Sequence, residues 1–198
     1  MSLKKYKTKR DLKKSPEPKP KIKKTVKGDL RFVIQEHHAS HLHWDLRLEL
    51  EGVLKSWAVP KVPSLNPDEK RLAIMVEDHP YDYQYFKGII PFGYGAGTVK
   101  IWDKGTFHID GQDKETSEKL MKSGLKKGAF HFTLQGKKLK GEFALIKLKN
   151  SKKENEWLLI KKKDKFSVST KTAIKKKSPS KLEKVVMLVK SRKRASRA

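Results

Sequence analysis

The chain has 198 residues, a formal net charge of +26 and no cysteine. The missing cysteines exclude disulfides and thiolate metal sites, so any metal must be held by His, Asp, Glu, backbone oxygen or water. The length fits one domain with tails, no apolar stretch is long enough to span a membrane, and the opening MSLKKYKTKRDLKK lacks the apolar run of a secretory signal, so a soluble intracellular protein is expected.

The charge is unevenly spread. Residues 1–28 carry twelve Lys/Arg against Asp11 and Glu17, residues 161–198 carry fifteen against Asp164 and Glu183, and only +3 remains for residues 29–160. The chain therefore divides into a basic N-terminal arm (1–28), a core of ordinary charge (29–162) and a basic C-terminal tail (163–198). Arms of this kind attract a polyanion by releasing its counterions, so a nucleic acid is the expected partner, against the blander reading of solubilising tails.

Residues 12–28 mix Pro with Lys and read as an extended arm. From Leu30 onward, short runs of Val, Ile, Phe, Trp and Leu alternate with turn residues, which predicts strands over 30–37, 41–50, 53–59, 71–77, 98–103, 105–109, 129–135, 139–149 and 156–162. Glu51-Gly52 reads as a hairpin turn. A helix is predicted over 113–122, with Asp113 as N-cap and Gly124 just past its end. A second is predicted over 181–193, opened by Ser180 and Glu183. The expected fold is mainly β, a compact antiparallel β-barrel with one or two short helices and basic terminal arms.

Four of the seven histidines fall within residues 37–43. The segment His41 to Leu50 alternates strictly, placing Leu42, Trp44, Leu46, Leu48 and Leu50 on one face and His43, Asp45 and Arg47 on the other, roughly 6–7 Å apart along the strand. Gln35 and His37 share a face of the preceding strand and reach this row if the two strands are neighbours. Two imidazoles and a carboxylate leave open positions on a divalent metal such as Mn²⁺, Zn²⁺ or Co²⁺, and those positions can hold a phosphate oxygen and activate water. Arg47 would then grip the phosphate. The bland alternative is a buried polar network.

A second cluster, Glu77-Asp78-His79-Pro80-Tyr81-Asp82-Tyr83, lies where an apolar strand breaks into a loop. His79 suits a general acid for an alkoxide leaving group, and Tyr83 a hydrogen bond to phosphate or sugar. The glycine-rich run Gly93 to Thr98 precedes a strand and lacks a following Lys-Ser/Thr, so it reads as a tight turn. Trp44, Trp57, Trp102 and Trp157 read as core. His41-x-His43-x-Asp45 begins like a metallo-β-lactamase-type nuclease motif, but Leu46 stands where that motif needs His.

The run Phe32 to Glu49 resembles the 3′-phosphoesterase domain of bacterial DNA ligase D, which serves nonhomologous end joining and also exists in freestanding form. The likeness continues through Gly52 to Lys61, Arg71-Leu72-Ala73 and Glu77-Asp78-His79-Pro80, covering roughly residues 10–160. The resemblance implies a small β-barrel with a polar groove and a Mn²⁺-dependent enzyme, with Co²⁺ or Zn²⁺ as alternatives. Such an enzyme removes a terminal 3′ ribonucleoside and then the 3′-phosphate from DNA or RNA–DNA primer ends. It implies metal ligation by His37, His43 and Asp45, and phosphate or catalytic roles for Arg47, His79 and Tyr83, supported by Gln35. Substrate contacts are implied for Arg10, Asp11, Glu17, Lys61 and Arg71, with the first arm ordered across the site. Val62 departs from the usual Gly, and Pro91-Phe92-Gly93-Tyr94-Gly95 departs from Pro-Glu-Gly-x-Tyr-Gly by one residue and the Glu. A cytoplasmic, nucleoid-associated prokaryotic monomer is expected, with any DNA ligase or polymerase partner acting in trans and no membrane involved. The alternative from another class is a non-catalytic basic nucleic-acid-binding protein.

Overall fold

The computed structural model describes residues 2–23, 28–151 and 153–169. The helix expected over 181–193 lies outside them. By contacts the chain separates into Met1–Ser167 and Val168–Ala198, and the fold below is that of the first unit.

Ten antiparallel strands form one sheet: β1 (Leu30–His38), β2 (Leu42–Leu50), β3 (Val53–Val59), β4 (Arg71–Met75), β5 (His79–Pro80), β6 (Gly88–Ile90), β7 (Gly97–His108), β8 (Ala129–Gln135), β9 (Lys140–Lys147) and β10 (Glu156–Lys161). Pairing runs β1-β2-β3-β4-β10-β9-β8-β7, and β7 pairs again with β1, so the circuit closes into a ring; β6 extends from β7 and β5 from β3. Closing the circuit removes the long unpaired edges that invite aggregation. The compact antiparallel β architecture read from the sequence is the one observed.

Alternation puts the large apolar side chains inside. Phe32, Ile34, Leu46, Leu48, Trp57, Phe132, Phe143 and Trp157 form the main core, against which Trp44 and Trp102 pack partly buried. The opposite face of β2 is also buried at Asp45, Arg47 and Glu49. A second apolar cluster, formed by Leu3, Tyr6, Val53, Leu54, Tyr83, Phe86, Ile90 and Val99, explains the cover on that side. It draws on the N-terminal arm, the 3-10 helix Tyr81–Tyr85 and β6.

Several elements differ from expectation. The segments 98–103 and 105–109 are one strand, β7. Its pairing with β1 shifts register between Ile34 and Gln35, a bulge of the kind that re-aims side chains beside functional sites. Helix α2 runs Lys114–Lys127 and ends at Gly128 in the left-handed conformation, beyond the expected stop. Gly124 lies within it because a Cβ there would sit 2.5 Å from Phe130 Cβ; the glycine allows close packing and does not terminate the helix. Asp113 caps the helix as expected, accepting from Thr116 N–H. The arm contains a short helix, α1 (Lys4–Thr8), which the charged sequence concealed because Tyr6 is its one buried residue. The Glu51-Gly52 hairpin is present, with φ of 48° and 76° at its two loop residues, as a primed turn requires.

Candidate active site

The β1–β2 register sets His37 opposite His43 and Gln35 opposite Asp45. With Arg47 two residues along β2, all five side chains lie on one face of adjoining strands. The ring centroids of His37 and His43 are 4.7 Å apart, and the ligand atoms of His37, His43 and Asp45 all lie within 4.8 Å of one another.

Backbone carbonyls fix the histidines. His37 Nε2 lies 2.9 Å from Gly95 O, and His43 Nδ1 lies 2.9 Å from His41 O. A carbonyl only accepts, so each of these nitrogens carries the hydrogen. The other two nitrogens, His37 Nδ1 and His43 Nε2, face the Asp45 carboxylate at 3.6 and 3.7 Å. Locking the far nitrogen of each imidazole so that the near one turns inward is the arrangement that orients metal-ligating histidines. This donor set, two nitrogens and one carboxylate oxygen, fits a divalent transition metal with positions left open.

Arg47 is almost fully buried and held on three sides. Nε donates to Gln35 Oε1 at 2.7 Å, Nη1 to Ser56 Oγ at 2.9 Å and Nη2 to Asp45 Oδ2 at 3.0 Å. Burial alone would raise the Asp45 carboxyl pKa, but the Arg47 guanidinium, helped by His37 and His43, holds it below the usual carboxylate range. Gln35 is fully buried, and its amide also donates to Tyr83 O at 3.0 Å and Phe86 O at 2.8 Å. Gln35 thus ties the guanidinium to the segment that covers it.

The arm supplies the opposite wall. Arg10 donates through Nε to Glu17 Oε1 at 2.8 Å and through Nη1 to Glu77 Oε1 at 2.7 Å, and its Nη2 lies 3.1 Å from His79 Nε2. Lys9 donates to the other Glu77 oxygen at 2.9 Å. Tyr83 donates to Glu17 Oε1 at 2.9 Å, its ring 4.6 Å from the Arg47 guanidinium carbon. Burial, with Glu17 alongside, pushes the Tyr83 pKa well up, so this phenol is a neutral donor. These groups enclose a pocket of about 280 Å³ whose walls include Arg10, His43, Asp45, Arg47, His79 and Tyr94.

Most of the expected site residues meet here, and three do not. Asp11 is exposed and accepts from Lys13 N–H. Lys61 is exposed. Arg71 is bound to Glu69 and donates to Val62 O at 2.8 Å. None of the three belongs to the pocket wall.

His79 is buried in the pocket wall. Its Nδ1–H donates to Glu77 O at 2.9 Å, and its Nε2 accepts from Arg10. Burial first, then the Arg47 and Arg10 charges, drive its pKa well below neutrality. In this arrangement its Nε2 is a neutral acceptor of a hydrogen bond from Arg10.

Glu77 was absent from the expected set, although it opens the Glu77-Asp78-His79 cluster and so carried a signal. Ser56 and the Gly95 carbonyl carried none, because only strand pairing and the 93–96 turn aim them.

A family model described as the DNA ligase D 3′-phosphoesterase domain matches residues 35–147. The chain is 50% identical over 147 residues to the multifunctional non-homologous end joining protein LigD of Pseudomonas aeruginosa, covering 73% of this chain and 16% of that protein. It is 48% identical over 146 residues to the protein of that name from Mycolicibacterium smegmatis, covering 73% and 19%. With the non-homologous end joining DNA repair protein LigD of Mycobacterium tuberculosis it shares 44% over 148 residues, covering 73% and 18%. The chain thus spans less than a fifth of each relative's length. A matched model over more than half the chain, with the paired histidines, Asp45 and Arg47 of the pocket inside it, places this protein in the DNA ligase D 3′-phosphoesterase domain family.

Proposed function

We propose that this protein is a Mn²⁺-dependent phosphoesterase that prepares DNA or RNA–DNA primer 3′ ends for nonhomologous end joining. The observation that carries the reading is the pair of imidazoles whose carbonyl-bound far nitrogens turn their near nitrogens onto one carboxylate, beside an immobilised guanidinium. His37, His43 and Asp45 would hold the metal, which supplies positive charge to polarise a phosphoryl oxygen and activate water. Arg47, fixed by Gln35 and Ser56, binds the phosphoryl group and offsets its growing charge. Arg10, held by Glu17, Glu77 and His79, adds a second cation across the pocket, and Tyr83 offers a neutral hydroxyl. On a ribonucleoside-ended primer, water adds to phosphorus and the bond to the terminal nucleoside's 5′ oxygen breaks, that oxygen taking a proton. A second water then displaces the 3′ oxygen, releasing inorganic phosphate and leaving a 3′-hydroxyl for a ligase or polymerase.

The test is a primer–template with one 3′-terminal ribonucleotide, incubated with the purified protein in Mn²⁺ or EDTA. Cleavage to a 3′-hydroxyl in Mn²⁺ alone is expected. His43→Ala is expected to lose at least about 100-fold in rate, from the lost ligand, while keeping its salt-dependent affinity for DNA. Inactivity with every divalent ion tried, alongside undiminished DNA binding, would return the chain to the reading of a basic DNA-coating protein.

A further inference from the structure

Exposed large apolar side chains concentrate in residues 85–94, a segment that also contributes Ile90 and Tyr94 to the pocket wall. Of the twelve exposed among the described residues, four fall within residues 85–94: Tyr85, Ile89, Phe92 and Tyr94. Phe92 and Tyr94 are each 46% exposed. Tyr94 lies in a tight turn in which Ala96 N–H donates to Gly93 O at 3.2 Å, Phe92 immediately precedes that turn, and Gly93 and Gly95 both have φ near +80°.

This turn is joined to the chemistry on both sides. Gly95 O holds His37, and a Cβ at Gly95 would lie 3.9 Å from the His37 ring. Tyr94 lines the pocket, and its ring lies 4.4 Å from Lys9 Nζ and 5.2 Å from the Arg10 guanidinium carbon. A phosphate seated between Arg47 and Arg10 therefore lies beside an exposed aromatic ring with cations around it. Phe92 stands two residues before Tyr94 in the chain, with its Cα within about 7 Å of that of Tyr94 by chain length alone. Exposed rings beside a cationic groove are how proteins hold unpaired bases without reading their sequence.

We propose that Phe92, with Tyr94, forms a stacking platform for the base of the 3′-terminal nucleoside, the leaving group of the phosphodiester reaction. The inference rests on the phosphoesterase reading and names which part of the substrate that site holds beyond its phosphate. A 3′-phosphate end lacks the leaving nucleoside, so the platform favours ribonucleoside-ended over phosphate-ended primers. It works through a π-face, so it accepts all four bases.

The test uses the full chain and Phe92→Ala, with Phe92→Trp to restore a ring. Phe92 is exposed, and an unchanged melting temperature checks that the variants are folded. The binding probe is a primer with 2-aminopurine as its terminal base, in EDTA, read by fluorescence quenching. Quenching is expected with the wild type and Phe92→Trp, and its loss with Phe92→Ala. In Mn²⁺, Phe92→Ala is expected to raise KM for the ribonucleoside-ended primer about 5- to 100-fold at similar kcat. Its preference for that primer over a 3′-phosphate-ended one falls by the same factor. Undiminished quenching in Phe92→Ala, or equal losses on the two primers, would overturn the platform. If the wild type cleaves neither primer, the phosphoesterase reading fails, while quenching that depends on Phe92 would still establish the base contact.

Discussion

Replacing Gln35 with leucine keeps the side chain's bulk but removes the amide that ties Arg47 to the segment above it. Three contacts go: the bond from Arg47 Nε at 2.7 Å and those to Tyr83 O and Phe86 O at 3.0 and 2.8 Å. The first is charge-assisted, worth about 1.5–3 kcal/mol. Phe86 O is left without this donor, which costs about 1–3 kcal/mol, whereas Tyr83 O still accepts from Phe86 N–H at 3.0 Å and loses about 0.5–1.5 kcal/mol. The total is about 3–7.5 kcal/mol, a large share of the roughly 5–15 kcal/mol that stabilises an ordinary domain. Urea unfolding followed by fluorescence of the buried Trp57 and Trp157 is the assay. With a slope of about 2 kcal/mol per molar, the midpoint should fall by about 1.5–3.8 M. Mn²⁺ affinity, measured by calorimetry, should change little, because the proposed ligands His37 and His43 keep their carbonyl partners. The rate on primer ends should fall at least about 10-fold as the guanidinium loses its orientation. A midpoint shift below about 0.5 M with full activity would refute the reasoning, since Gln35 would then be an ordinary core residue.

The depressed pKa of His79 makes a pH prediction with a definite sign. As pH falls below about 6.5, the unfolded chain takes up a proton at this imidazole before the folded protein does, so stability declines with falling pH. The slope from this one group approaches about 1.4 kcal/mol per pH unit until the folded pKa is reached. In EDTA, denaturant titrations of His79→Gln between pH 7 and pH 5 should show a shallower decline than wild type, and superimposable slopes would refute the assignment. Gly52 is the contact point of the arm with the β2–β3 turn: Lys23 N–H donates to Gly52 O at 3.1 Å, and a Cβ on Gly52 would fall 2.1 Å from Lys23 O at a φ of +76°. Gly52→Ala should cost about 1–3 kcal/mol and speed tryptic cleavage after Lys21 and Lys23; cleavage at the wild-type rate would mean the arm is not held there.

The alternation from His41 to Leu50 was enough to place His43, Asp45 and Arg47 in one row and Leu46, Leu48 and Leu50 in the core, because a strand's period of two sends neighbouring side chains to opposite faces. The break after Val76 likewise marked the Glu77–Tyr83 cluster, and the absence of cysteine restricted the metal donors. What the sequence could not supply was which strand lies beside β2, so Gln35 and His37 joined the row only through the β1–β2 register. Nor could it show that the row's polar face is buried beneath the arm, the 3-10 helix and β6, because that cover is assembled from residues as distant as Tyr6 and Tyr83. The same burial lowers the His79 pKa and sets its Nε2 against Arg10. Periodicity is a local property that neighbouring residues encode. Register, burial and pKa arise from groups that meet only after the chain has closed on itself, and these decided the chemistry of the pocket.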